Sequence, residues 1–236
     1  MRRSQIDGVR GSGAVVAALL LLAAAASPAP AEGQESVPRF PFGTPVAFVP
    51  VQSVQPLPGG GWPGGADAEE ETLRTMDAEL AFALAGTRGA AGWALPDDVV
   101  RRVERNPTLR VDPRRLAYQG LLEKPDLRRQ IYEPLHGELR AISALFDTRY
   151  VVLPLSLRAE PAPGATDAAS SAPDAAAGAP AAGRAPVRAR LLLAMIDIRS
   201  SAIAWYGEIA GDPAPPDSPA LLATLAERVA DLVAPS

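Results

Sequence analysis

Few side chains in this sequence are of the types that catalysis or metal binding requires. The chain has no cysteine and a single histidine, His136. This composition excludes thiolate catalysis, disulfides, cysteine-bound metals and metal sites built on a pair of histidines. His136 stands near the start of an expected helix, where a partly exposed residue without a chemical role is the usual interpretation. No catalytic residue and no metal ligand are predicted.

Carboxylates are the remaining groups that could form an acid–base pair or bind a hard cation. Glu69–Glu71 and Asp97–Asp98 stand at expected helix starts, where negative charge stabilises the helix dipole. Asp197 and Glu208 lie on two strands of an expected hairpin and could face each other. A carboxylate-dependent hydrolase is therefore an alternative to a non-enzymatic function. It requires these two acids to meet in one cleft with separated pKa values.

A glycine-rich loop is the motif that most suggests a cofactor. Gly59, Gly61 and Gly64 have the G-x-G-x-x-G spacing of dinucleotide-binding loops, after an expected strand and before an expected helix. Prolines in this loop oppose a tight turn into the helix, and no acid ends a clear second strand to hold a ribose. A solvated loop is the better interpretation, and no cofactor is predicted.

Aromatic side chains offer a candidate interaction surface. Trp62, Trp205 and Tyr206 form this candidate set, because tryptophan and tyrosine are enriched at interaction hot spots. Packing in the core is the favoured alternative for the same side chains. The formal net charge of −4 argues against nucleic acid as a partner, since such a surface needs clustered cations.

Residues 1–31 predict a secretory signal peptide. Arginines precede an apolar run over residues 14–26, and small residues follow it, which is the order that export signals have. We expect cleavage after Ala31, with Ala29 as the second choice. The apolar run is shorter than a membrane-spanning helix requires, and a chain without cysteine has no lipobox. A periplasmic or secreted protein without a transmembrane segment is expected.

Hydrophobic periodicity predicts strands and helices across one domain, residues 46–236. Strands are expected over residues 46–54, 93–95, 150–157, 187–198 and 202–209. Helices are expected over residues 68–85 and 99–105, and from Asp112, Pro134 and Ser218. The predicted fold class is α/β (α+β): a single mixed β-sheet of about five strands, helices packed against it and a C-terminal helix.

Two segments are expected to lie outside the core. Residues 32–45 are polar and rich in proline, which is typical of a flexible lead-in. Residues 158–186 hold mostly alanine, proline, glycine, serine and aspartate, which cannot offset the ordering entropy by burial. We therefore predict a disordered insertion between two strands of the one domain.

Four segments, in order, resemble a group of bacterial envelope proteins. They are the opening strand at 46–50, the strand entry ALFDTRYVVL at 144–153, the hairpin segment LLLAMIDIRSSAIAW at 191–205 and the helix LAERVA at 225–230. The group includes the penicillin-binding-protein activator lipoproteins, the curli secretion-channel subunit and the N-terminal domain of the Tol-Pal translocation protein. The resemblance implies a small α/β sandwich that acts as a non-catalytic binding or assembly module. Ser200-Ser201 replaces the glycine that is usual in the hairpin turn.

Together these patterns predict a non-enzymatic exported protein that binds another envelope protein. The binding surface is expected on residues 158–186, on the glycine loop or on an exposed sheet edge. A periplasmic small-molecule-binding domain is a further alternative, and it requires a pocket of a few hundred Å3.

Overall fold

A mixed five-stranded β-sheet organises the chain, as the sequence predicts. The structure is a computed structural model and describes residues 43–55, 66–123, 130–162 and 185–234. The strands are β1 (Val46–Phe48), β2 (Val54–Gln55), β3 (Tyr150–Pro161), β4 (Val187–Asp197) and β5 (Ala202–Ala210). Both β1 and β2 pair in parallel with β3, while β3, β4 and β5 are antiparallel neighbours.

Helices cover both faces of this sheet. They are α1 (Ala66–Ala85), α2 (Pro96–Glu104), α3 (Gln119–Glu123), α4 (Leu135–Phe146) and α5 (Ala220–Val233). On one face, α1 and α5 pack against each other and against the sheet through apolar residues at four-residue spacing, among them Met76, Leu80, Leu225 and Val229. On the other face, α2 and α4 pack through Val99, Val103, Leu139 and Ile142. The result is a three-layer sandwich with the C-terminal helix that the sequence predicts.

The central strand β4 has apolar side chains on both sides because helices cover both faces of the sheet. Leu191, Leu193 and Met195 contact the cluster beneath α1 and α5. Ala194 and Ile196 belong to the cluster beneath α2 and α4. A continuous apolar run is typical of a strand buried on both faces, so the prediction of an interior strand is confirmed.

The strand predicted over residues 46–54 is interrupted in the middle. Pro50 has no N–H to donate, and between β1 and β2 the pairing with β3 continues only through single hydrogen bonds. Val49 N–H donates to Val152 O at 3.0 Å and Gln52 N–H to Pro154 O at 3.1 Å. The strand predicted at 93–95 is reduced to a bridge, in which Ala94 pairs in parallel with Ala47.

Two predicted boundaries are wrong. The helix expected from Asp112 does not form, because the side chain of Gln52 bonds backbone groups of Pro113 and Leu116 and holds this stretch as turns, so helix α3 begins only at Gln119. The start predicted for the insertion, Arg158, is too early. Residues 158–161 continue β3, paired with β4.

Several predictions fall outside the described residues. These are the signal peptide with its cleavage sites Ala29 and Ala31, the lead-in up to residue 42, the glycine loop with Trp62, and residues 163–184 of the predicted insertion. Within the described ranges, no helix combines the length and the apolar character needed to cross a bilayer.

Candidate functional site

The two acids of the hydrolase alternative lie apart. In the register of β4 and β5, Asp197 pairs with Ala202 and Glu208 pairs with Leu192. The stretch of β4 between positions 192 and 197 separates them, roughly 16 Å at the rise of a strand. The predicted convergence of Asp197 and Glu208 in one cleft is therefore wrong.

Arg149 forms a bidentate ion pair with Asp197. Its Nε donates to Oδ1 at 3.0 Å and its Nη2 donates to Oδ2 at 2.5 Å. The backbone N–H of Arg199 donates to Oδ1 at 3.0 Å. These hydrogen bonds, above all those from Arg149, outweigh desolvation and lower the pKa of Asp197 below its usual value. Asp197 is thus an ionised structural group that ties the start of β3 to the end of β4.

Glu208 belongs to a chain of ion pairs across three strands. Its carboxylate oxygens lie 2.8 Å from Arg158 Nη2 and 3.0 Å from Arg190 Nη1. Arg190 also bonds Glu160, with 2.6 Å between Nε and Oε1. Because both of its oxygens accept from guanidinium groups, Glu208 is not free to act as an acid or base. No group of three or more potential metal-ligating His, Asp or Glu side chains occurs among the described residues.

His136 contacts a serine that the sequence analysis did not connect with it. Ser201 Oγ lies 2.9 Å from His136 Nε2, and His136 Nδ1 lies 3.6 Å from Glu133 Oε1. The order resembles a serine–histidine–acid triad, but 3.6 Å exceeds a hydrogen bond. The Glu133 side chain is 71% exposed, whereas a triad acid is buried and orients the histidine. The arrangement is a hydrogen-bonded pair, not a nucleophile with an oriented base.

A signal for this contact was present in the sequence. Ser201 occupies a turn position where the resembling proteins carry glycine, and its φ of 56° lies in the left-handed region that favours glycine. Serine at such a position costs backbone energy, and strain of this kind clusters at functional sites. The partner of Ser201 lies 65 residues away in sequence, so local patterns do not identify it.

An open cleft of about 690 Å3 surrounds the pair. It lies between α4, the start of β3 and the β4–β5 turn, and we call it the hairpin cleft. The polar side chains that matter for its chemistry are His136, Arg140, Thr148, Arg149, Arg199 and Ser201. The size requirement of the small-molecule alternative is therefore met.

A second cleft, of about 440 Å3, lies beside α2 and is also lined by arginines. Two of its three guanidinium groups are engaged. Arg101 lies 2.5 Å from Asp98, and Arg102 stacks over the ring of Phe146 at 5.3 Å from the ring centroid. Arg105, the third arginine of this cleft, has no side-chain ion pair or hydrogen bond among the described residues.

The candidate aromatic surface is mostly internal. Trp205 is 7% exposed and packs in the core beneath α1 and α5, so its placement on an interaction surface is wrong and the packing alternative describes it better. Tyr206 is partly buried, and its hydroxyl donates to Leu121 O at 3.0 Å. Trp62 lies outside the described residues.

Strand β5 forms an edge of the sheet. At one end, the outer side of β5 is paired with another segment of the chain. There Gln130 forms a β-bridge with Ala202, and Ile131 N–H donates to Ser201 O at 2.8 Å. Beyond this point, the outer backbone groups of residues 206–210 form no backbone hydrogen bond with any described residue. The sequence analysis named an exposed sheet edge only in general terms, and the register identifies it as β5.

Comparisons with known proteins give only distant likenesses. No protein-family model matches the sequence, and no curated protein matches it. The PelC dodecamer from Paraburkholderia phytofirmans is 12% identical, with a TM-score of 0.36 over 84% of this chain and 94% of that chain. A variant of the same dodecamer is 14% identical, with a TM-score of 0.37 over the same shares. The LpoB C-terminal domain from Salmonella enterica is 16% identical, with a TM-score of 0.32 over 72% of this chain and 82% of that chain. Membership of the envelope-protein group stays a prediction.

Proposed function

We propose that the protein is an exported, non-catalytic module of the cell envelope that binds a partner protein through the outer edge of β5. The unpaired edge over residues 206–210 is the observation that carries the proposal. The signal-like residues 1–31 support export. The arginine pairing of Asp197 and Glu208 supports a role without acid–base catalysis.

An unpaired strand edge is a template for another strand, because its N–H and C=O groups point outward in a row. Proteins usually protect such edges with lysine, proline or a covering segment. Strand β5 has the sequence AIAWYGEIA and contains neither lysine nor proline. Its one charged residue, Glu208, is paired with arginines of β3 and β4, and its bulge lies near the start of the strand, before residues 206–210. Strand addition by a partner would satisfy these groups with backbone hydrogen bonds.

Exposed apolar side chains lie near the same edge. Tyr132 is 71% exposed and follows Ile131, whose N–H reaches the start of β5. Leu122 is 37% exposed and follows Leu121, whose carbonyl accepts from Tyr206 of β5. A partner strand paired with β5 would bury these side chains and gain from their removal from water.

Proline at position 210 tests this docking mode. Gly211 N–H donates to Ala189 O at 3.0 Å, so alternation along the strand directs the Ala210 N–H away from β4. Ala210→Pro therefore removes an outward donor without breaking the pairing with β4. Ala210→Val is the matched control, since it keeps the N–H.

The measurement is capture from envelope extract with the full exported chain as bait. We expect wild type and Ala210→Val to recover the same partner, and Ala210→Pro to recover about tenfold less of it. Thermal melts that agree among the three chains establish that the variants fold. Equal recovery by both variants, or no partner above background with wild type, would contradict the proposal.

Export is tested separately by sequencing the N terminus of the protein recovered from the envelope fraction. Cleavage after Ala31 leaves Glu32 as the first residue, and cleavage after Ala29 leaves Pro30. A chain that keeps residues 1–31 and stays in the cytoplasm would rule out the envelope role.

A further inference from the structure

The hairpin cleft is lined by more basic than acidic side chains, in an acidic protein. Arg140, Arg149 and Arg199 line it, together with Asp147, whereas the whole chain carries a formal charge of −4. Arg149 is bound to Asp197. Among the described residues, the side chains of Arg140 and Arg199 form no hydrogen bond or ion pair. Two guanidinium groups are therefore available to an acceptor from outside the fold.

A buried hydroxyl in the same cleft also lacks a partner. Thr148 lines the cleft and is 8% exposed, and its Oγ1 has no hydrogen-bond partner among the described residues. The neighbouring Ser143 hydroxyl is already used, since it donates to the Thr148 carbonyl. Native proteins rarely leave a buried hydroxyl unpaired, because doing so costs stability. A ligand oxygen would supply the missing acceptor.

The strained serine points to the same place. Ser201 lines the cleft with φ at 56°, and its hydroxyl contacts His136. Glycine would adopt this backbone conformation at no cost. Retention of a side chain here provides a hydroxyl at the mouth of the arginine-lined cleft.

We propose that the hairpin cleft binds the phosphate group of a phosphoester, with Arg140 and Arg199 as the charged ligands and the Thr148 hydroxyl as a further donor. The Ser201 hydroxyl is also a donor when the contact with His136 is donated by the Nε2–H of the histidine. Guanidinium groups bind phosphate oxygens through paired N–H donors. A phosphate offers more acceptor oxygens than a carboxylate, which suits a site with several donors. The cleft of about 690 Å3 is larger than a phosphate, so the ligand carries an organic group as well. Small soluble esters and phospholipid headgroups share this chemistry.

Calorimetric titration of the full exported chain with glycerol 3-phosphate tests the soluble source. We expect saturable binding by wild type and a loss of about thirtyfold in affinity for Arg140→Gln/Arg199→Gln, because two charged hydrogen bonds disappear. The double variant Arg88→Gln/Arg115→Gln is the control. It removes two other exposed arginines and the same net charge, and we expect its affinity within about twofold of wild type.

Sedimentation with vesicles tests the lipid source. Phosphatidylcholine vesicles with and without phosphatidylglycerol are compared with the same three chains. Binding of the anionic vesicles alone, lost in Arg140→Gln/Arg199→Gln, assigns a lipid headgroup, and binding of glycerol 3-phosphate assigns a soluble ester. The proposal is overturned if wild type binds neither probe, if Arg140→Gln/Arg199→Gln binds as wild type does, or if the control loses as much affinity.

Discussion

Two polar regions of this protein differ in how their hydrogen bonds are used. The first lies where β1 and β2 are interrupted, and we call it the buried network. Gln52 Nε2 donates to Pro50 O at 2.6 Å and to Pro113 O at 3.0 Å, while its Oε1 accepts from Leu116 N–H at 2.8 Å. Asp77 accepts from Val51 N–H at 2.8 Å and from Arg114 at 2.9 Å. Each side-chain oxygen and nitrogen of Gln52 and Asp77 thus has a partner inside the fold.

The second region is the hairpin cleft, where several donors lack an acceptor. Arg140, Arg199 and the Thr148 hydroxyl have no acceptor among the described residues. A satisfied buried network stabilises one fold, whereas donors without acceptors weaken it unless something outside the fold meets them. The difference indicates that the buried network serves the structure and that the cleft serves binding.

Removal of Gln52 should give the largest loss of stability. Gln52→Ala leaves the Leu116 N–H and two carbonyls without partners in the core, and we expect the free energy of unfolding to fall by about 4 kcal/mol. The neighbouring Ser53→Ala removes one hydrogen bond, from Ser53 Oγ to Leu155 O at 2.9 Å, and should cost about 1 kcal/mol. Urea denaturation measures both values. Equal losses of unfolding free energy in the two variants would show that the buried network stabilises the fold no more than a single hydrogen bond does.

The pH dependence of stability isolates Asp77. Burial raises the pKa of Asp77 from 3.8 to about 6, against the opposing hydrogen bonds from Val51 and Arg114. The folded state therefore holds a proton that the unfolded state releases at lower pH. This contribution to stability is complete below about pH 4 and is lost as the pH rises through about 6, a change of about 3 kcal/mol.

Asp77→Asn is the control for this titration, because it keeps an acceptor for Val51 N–H and cannot ionise. The difference in unfolding free energy between wild type and Asp77→Asn should change between about pH 4 and pH 7 in the direction that favours wild type at low pH. A difference that stays constant across this range would contradict the raised pKa.

Release of Arg149 should strengthen binding in the cleft. Asp197→Asn weakens the bidentate interaction with Arg149 but keeps an acceptor for the Arg199 N–H. A third guanidinium then becomes available, and we expect affinity for glycerol 3-phosphate to rise about fivefold, the value of one added hydrogen bond. Calorimetry measures the change. Glu208→Gln, which releases arginines outside the cleft, should leave the affinity unchanged, and a rise in both variants would count against the cleft as the site.

The layered fold could be predicted because local patterns of apolar residues in the sequence indicate its strands and helices. Continuous apolar runs mark the strands that helices cover on both faces, and residues at four-residue spacing such as Met76 and Leu80 mark the helices. The misplaced boundaries have tertiary causes. Gln52 reaches across the chain to hold residues 113–116 as turns, and Glu160 pairs with Arg190 on β4 to extend β3 past Arg158.

The cleft could not be predicted because its parts are distant in sequence. Arg140 lies on α4, Thr148 precedes β3, and Ser201 lies in the β4–β5 turn. The sequence showed only that serine replaces glycine at the turn. The replacement indicates strain only once the structure gives Ser201 a left-handed φ. Composition and periodicity identify layers, whereas convergence of side chains requires coordinates.

Substitution of Ser201 by glycine gives the smallest predicted change and separates stability from binding. Ser201→Gly relieves the left-handed strain at φ 56°, and we expect the free energy of unfolding to rise by about 1 kcal/mol. The same change removes the hydroxyl beside His136, so affinity for glycerol 3-phosphate should fall about threefold. Ser200→Gly, one residue earlier in the turn, is the control and should give neither effect. If Ser201→Gly stabilises the protein and leaves phosphate binding intact, the serine serves the turn alone and the hydroxyl is not part of the site.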